Sequence, residues 1–206
     1  MLFAANISLF KILLLSAVGL ISVPLSWHFL ESYQKQRIVS FMSPQSDPQG
    51  IGFHVIQSQI AVVSCQLWGR GLGRGTQSRL QFLPEFRTDF IFAFIAEELG
   101  FLGSFLVLTL YAVIFILSFR LLGKVGDRFG ELIIIGVMSM LLVQIIVNVG
   151  MNIGLLPVTG NTLPFMSYGG SHLITEYAAL GLLMSLRRRG NPSLQARGEN
   201  EILGVV

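Results

Sequence analysis

The way charge is partitioned along the chain limits its fold more than any other feature. Four segments, 7–30, 90–119, 132–156 and 163–186, contain only Lys11, Glu97, Glu98 and Glu176 as Lys, Arg, Asp or Glu residues. They make up half of the 206 residues, and the other half carries the remaining 21 of the 25 charges. Each segment is long enough for a bilayer core of about 30 Å, which takes about 20 helical residues. Inside lipid the backbone must satisfy its own hydrogen bonds, and the alternation typical of a barrel is absent, so the segments read as helices. Charged residues amount to 12% of the chain, against roughly 25% in an ordinary soluble domain. A soluble globule could not cover so much apolar surface, and the many Phe, Leu and Ile exclude a disordered chain. The expected fold class is therefore an all-α integral membrane protein with four transmembrane helices and one long loop, 31–88. A single cysteine, Cys65, allows neither an internal disulfide nor a paired-thiol metal site.

Orientation follows from the basic residues of the short loops and flanks. Arg120, Lys124 and Arg128 lie in the link 120–131, three arginines follow the last segment at 187–189, and Lys11 flanks the first, whereas the turn 157–162 has none. With alternating helices these sites share one side, so both termini are expected in the cytoplasm and loop 31–88 outside. The six basic residues of that loop do not overturn the assignment, because long loops translocate largely regardless of charge. Turn chemistry at Ser43-Pro44 and Asp47-Pro48-Gln49-Gly50 precedes a mildly apolar stretch, for which a short amphipathic helix around 53–66, packed on the membrane face, is expected. Residues 191–206 read as a cytoplasmic tail.

Several residues carry chemistry. The run Gly69-Arg70-Gly71-Leu72-Gly73-Arg74-Gly75 fits neither a dinucleotide fingerprint nor a P-loop, and it reads as a flexible, tightly turning loop whose arginines can meet lipid phosphates. Asp89, where the loop meets the second apolar segment, reads equally as a helix-capping carboxylate and as a functional one. Glu97 and Glu98 are ionisable groups inside a span, which are costly and usually face a cavity or a partner. Leu163-Pro164-Phe165-Met166-Ser167-Tyr168-Gly169-Gly170-Ser171 interrupts the last segment with Pro and Gly, tolerated at membrane depth only where it is buried in protein or lines a wet cavity. Glu176 needs a partner, with Lys11 or a helix outside this chain as candidates.

These residues, in order with Asp47-Pro48 through Gln57-Ser58, Gly71-Leu72-Gly73, Gly75-Thr76-Gln77-Ser78, Phe82-Leu83-Pro84-Glu85, Thr88-Asp89-Phe90-Ile91-Phe92 and Ala96-Glu97-Glu98-Leu99-Gly100, carry a resemblance. Over roughly residues 1–190 the chain resembles the C-terminal part of the SEDS family (shape, elongation, division, sporulation) of cell-wall polymerases, its elongation branch more than its division branch. The resemblance implies a ten-helix membrane glycosyltransferase of the bacterial inner membrane, of which this chain would hold the last four helices and the large extracytoplasmic loop, and which would be inactive in isolation. It further implies lipid II, a disaccharide-pentapeptide on undecaprenyl diphosphate, as substrate, a class B penicillin-binding protein as partner, and Asp89 as the essential acidic residue. Asp89 would take a proton from the acceptor hydroxyl. Arg87, Arg70 and Arg74 would stabilise the departing diphosphate, and Glu97, Glu98, Ser167 and Tyr168 complete the expected substrate-binding set. The chain departs from the family pattern at Arg87, where His is usual, at Cys65-Gln66 in place of Gly-Gly, and at His172 in place of Ser. Two competing classes are a lipid translocase using Glu97, Glu98 and Glu176, and a non-catalytic scaffold for the transpeptidase. Membrane lipids are expected partners and nucleic acid is not; no cofactor is indicated, and a divalent cation is left open.

Overall fold

The structure is a computed structural model and describes residues 8–26, 29–43, 51–64, 66–71, 73 and 88–189. Among these residues every regular element is a helix: α1 Leu9–Ser26, α2 Ser32–Met42, α3 Ile51–Val63, α4 Ile91–Leu122, α5 Arg128–Asn152 and α6 Gly170–Arg189. Two of them, α4 with 32 residues and α5 with 25, are long and apolar enough to cross a membrane. At 1.5 Å per residue they would reach about 48 and 37 Å. Local chemistry explains their ends. Asp127, the N-cap of α5, accepts a hydrogen bond from the Phe129 amide at 3.2 Å, and α4 stops at Leu122, just before Gly123.

The packing has two apolar centres. One joins Phe92, Ile95, Val107, Tyr111, Ile145 and Leu163, tying the start of α4 to α5 and to the segment before α6. The other, nearer the far end of the bundle, joins Ile134 and Met138 of α5 to Leu183 and Leu186 of α6. By contrast, the described side chains of α1 are exposed almost all round, Lys11 included.

Three features depart from the sequence reading. Within stretch 31–88 the helix expected around 53–66 is present as α3, packed on α4 and α5, but a further helix, α2, precedes it. Glu31 starts α2, its amide donating to Gln34 Oε1 at 3.2 Å, which is half of a capping box. The last apolar segment is helical only from Gly170; residues 163–169 are irregular, and Phe165 sits in the left-handed region at φ 60°. Finally, α4 is broken at Gly100, with φ 71° and ψ −165°.

That break is filled by the glycine-rich segment. A continuous helix would bond the Phe101 and Leu102 amides to the Glu97 and Glu98 carbonyls. Here those amides donate instead to Gln66 O at 2.9 Å and Leu67 O at 3.3 Å, while the freed carbonyls accept from Arg70 N and Gly71 N, both at 3.0 Å. The backbones approach so closely that a Cβ on Gly69 would stand 2.3 Å from Glu98 O, and one on Gly100 2.2 Å from Gly69 N. The Gly69–Gly71 backbone is thus pinned into α4 and is not the free flexible loop expected.

Candidate functional site

A carboxylate can do directed chemistry only if its backbone is fixed, and around Asp89 that fixing comes from buried amides and one hydroxyl. Asn148 and Asn152, one turn apart on α5, are both fully buried. Asn148 Nδ2 donates to Asp89 O at 3.0 Å and to Asn161 O at 2.6 Å; Asn152 Nδ2 donates to the same Asp89 carbonyl at 3.1 Å. Asn152 Oδ1 accepts from Ala93 N at 3.3 Å, satisfying an amide in the first turn of α4 that has no partner within its own helix. The Asn152 carbonyl in turn accepts from Ser58 Oγ of α3 at 3.3 Å.

The peptide before Asp89 is held from the other side. Ser167 Oγ donates to Thr88 O at 2.6 Å and accepts from Leu163 N at 2.7 Å. The irregular stretch 163–169 therefore closes onto the start of α4, and the Tyr111 hydroxyl, donating to Pro164 O at 2.5 Å, ties it to the middle of that helix. The α4 N-cap is Phe90, so Asp89 stands one residue outside the capping position. Its side chain is half-buried, with Oδ2 3.6 Å from where a Cβ on Gly160 would lie. That is ordinary van der Waals distance, and it is the φ of 75° at Gly160 that disfavours a side chain there.

The other expected site residues divide. Glu97, Glu98 and Arg70 gather at the Gly100 break, eight or more residues along the helix from Asp89. Arg70 Nη1 lies 3.8 Å from Glu97 Oε1, and Glu98 Oε1 accepts from Gly73 N at 2.9 Å. Both glutamates are buried, at 1% and 6% exposure, and both face the docked glycine segment. Ser167 is buried with its hydroxyl engaged on Thr88 and Leu163, whereas Tyr168 is 78% exposed beside it. Arg74, Arg87 and the tail 191–206 lie outside the described residues.

Among the described residues Glu176 is not paired with Lys11, which is exposed on α1, and its Oε1 is buried without a hydrogen-bond partner. Glu176 is 2% exposed, and its Oε2 accepts from the Phe165 amide at 2.7 Å. It thus holds the irregular stretch in place from within α6. Glu98 accepts from the Gly73 amide and Glu176 from the Phe165 amide, whereas Glu97 faces the Arg70 guanidinium. Sequence reasoning passed over Asn148 and Asn152, although two polar residues four apart inside an otherwise apolar span were a readable signal. The arrangement offers a positioned proton acceptor at the mouth of a helix bundle, with its main chain locked on both sides. Among the described residues no cluster of His, Cys, Asp and Glu could hold a metal ion.

Comparison with known proteins adds to this geometry. The family profile FTSW_RODA_SPOVE, described as cell cycle protein, matches residues 1–191. The chain is 46% identical over 165 residues to the peptidoglycan glycosyltransferase MrdB of Escherichia coli K12, covering 80% of this chain and 45% of that protein. It is 43% identical over 178 residues to the peptidoglycan glycosyltransferase RodA of Treponema pallidum, covering 84% of this chain and 41% of that one. It is also 44% identical over 156 residues to the stage V sporulation protein E of Bacillus subtilis, covering 76% and 42%. A solved structure described as "Structural coordination of polymerization and crosslinking by a peptidoglycan synthase complex" superposes with a TM-score of 0.68 at 31% identity, covering 91% of this chain and 52% of that one. The chain spans less than half the length of these curated relatives.

Proposed function

The chain belongs to the FtsW–RodA–SpoVE cell cycle protein family, and from that premise we propose that it forms the Asp89-bearing part of a peptidoglycan glycosyltransferase that polymerises lipid II in the bacterial inner membrane. In this reading α1, α4, α5 and α6 cross the bilayer with both termini in the cytoplasm, and Asp89 stands at the outer surface. The segregation of Arg120, Lys124, Arg128, Arg187 and Arg188 to the opposite ends of α4, α5 and α6 supports that orientation.

The observation that carries the proposal is the clamp on Asp89: two buried asparagines on its carbonyl and Ser167 on the carbonyl before it. Asp89 acts as general base on the acceptor's sugar hydroxyl, a role worth about 10²–10⁴ in rate. The hydroxyl oxygen bonds to the donor's anomeric carbon as the bond to diphosphate breaks. The proton passes to the Asp89 carboxylate, and the lipid diphosphate leaves with the electron pair. Because diphosphate is a good leaving group, no second acid is needed. Arg87 and Arg74 are the expected cations to meet its charge, while Arg70, which faces Glu97 at the Gly100 break, would reach it only by leaving that contact. A class B penicillin-binding protein would cross-link the product.

The test exchanges this chain for the matching C-terminal part of the Escherichia coli relative and measures lipid II polymerisation by the chimera. We expect glycan strands from the chimera and a loss of at least 100-fold on Asp89→Asn at unchanged membrane insertion. Strand synthesis retained by the Asp89→Asn chimera overturns the assignment.

A further inference from the structure

At the end of the bundle remote from Asp89, the last turns of α4 and α6 line a cleft of about 410 Å³. The volume falls within the range of small-molecule sites. Its walls are aliphatic: Leu117 and Leu121 from α4, Leu180 and Met184 from α6. Leu183, which also lines the cleft, packs with Leu186 on Ile134 and Met138 of α5. Its rim is cationic, with Arg120 and Lys124 on one side and Arg187 on the other. All three are exposed, and no carboxylate among the described residues lies within ion-pair distance of them.

Basic residues near helix C-termini favour the helix dipole, and that alone would explain cations on each helix separately. It does not explain three cations converging across two helices on one apolar slot. We propose that this cleft binds an anionic glycerophospholipid of the surrounding leaflet, its phosphate between Arg120, Lys124 and Arg187 and an acyl chain along Leu117 and Met184. Basic pockets between transmembrane helices bind such headgroups, each nearby cation contributing about a fivefold change in affinity. The aliphatic walls exclude a free phosphate as the preferred occupant, and the rim charge disfavours a zwitterionic lipid. The assignment requires α4 and α6 to span the bilayer but does not involve Asp89, so it stands or falls apart from the proposed catalysis.

The test uses the whole chain in phosphatidylcholine nanodiscs, titrated with phosphatidylglycerol, with bound lipids counted by native mass spectrometry. We expect phosphatidylglycerol to be retained by the wild-type chain, and R120Q/K124Q/R187Q to bind it about 100-fold more weakly. K11Q/K35Q, which removes charge elsewhere, should retain it fully. Met184→Trp, which fills the slot without changing charge, should also lose it, covering the case in which the triple variant folds poorly. Equal retention by the triple variant, equal loss in K11Q/K35Q, or equal retention of phosphatidylcholine overturns the proposal. So does a second copy of the chain seated in the cleft, seen as a dimer abolished by Met184→Trp.

Discussion

Glu176 shows how a single residue can read one way in the sequence and another in the fold. A carboxylate deep in an apolar segment suggests a cationic partner, yet it is the Phe165 amide, in a left-handed conformation, that it satisfies. Replacing Glu176 with Ala leaves that part-buried amide without its acceptor, at a cost of about 1 kcal/mol. Replacing it with Gln keeps an acceptor oxygen. We expect Glu176→Ala to lower the thermal unfolding midpoint in detergent by several degrees and Glu176→Gln to lower it much less; equal losses would show that the hydrogen bond is not what holds residues 163–169. Asn152 poses a similar test closer to the site. Asn152→Leu removes one of two donors to the Asp89 carbonyl and the acceptor for Ala93 N. Polymerisation by the chimera should then fall by at least tenfold, with the protein still inserted, because the carboxylate loses its fixed position.

Among elements, the break in α4 is the joint on which the others depend. A glycine inside a helix reads in sequence as a tolerated weak point, costing about 1 kcal/mol against Ala. In the fold, Gly100 admits another backbone: four hydrogen bonds cross between residues 66–71 and 97–102 in place of two inside the helix. Gly100→Ala forces a Cβ into the Gly69 amide at a backbone angle that L residues avoid. We expect that substitution to release the segment, seen as faster trypsin cleavage at Arg70 in membranes, without loss of α4 itself. Unchanged cleavage would mean that the segment is held elsewhere. The interruption at 163–169 was legible from Pro164 and Gly169-Gly170, but what it closes against was not. Its contacts are with Thr88 and Tyr111, more than 50 residues away, and no local pattern encodes them.

At the scale of the molecule, the proposed topology places residues 157–162 and the link 120–131 on opposite sides of the membrane. With Cys65 replaced by Ser, Thr159→Cys should react with an impermeant thiol reagent on intact cells, and Lys124→Cys only after permeabilisation. The reverse pattern would invert the assignment and remove Asp89 from the outer surface. Charge partition by itself pointed to helices and to where four apolar segments lie, because the cost of placing charge in hydrocarbon acts on every residue of a span; of the four, the structure makes α4 and α5 long and apolar enough to cross a bilayer. The motif wording likewise pointed to the family and singled out Asp89. Only the tertiary structure decided that the glycine run enters α4, that Ser167 turns inward while Tyr168 turns out, and that Asn148 and Asn152 grip Asp89. Those outcomes rest on hydrogen bonds between distant backbones, where burial leaves each polar group only the partner that the fold brings to it.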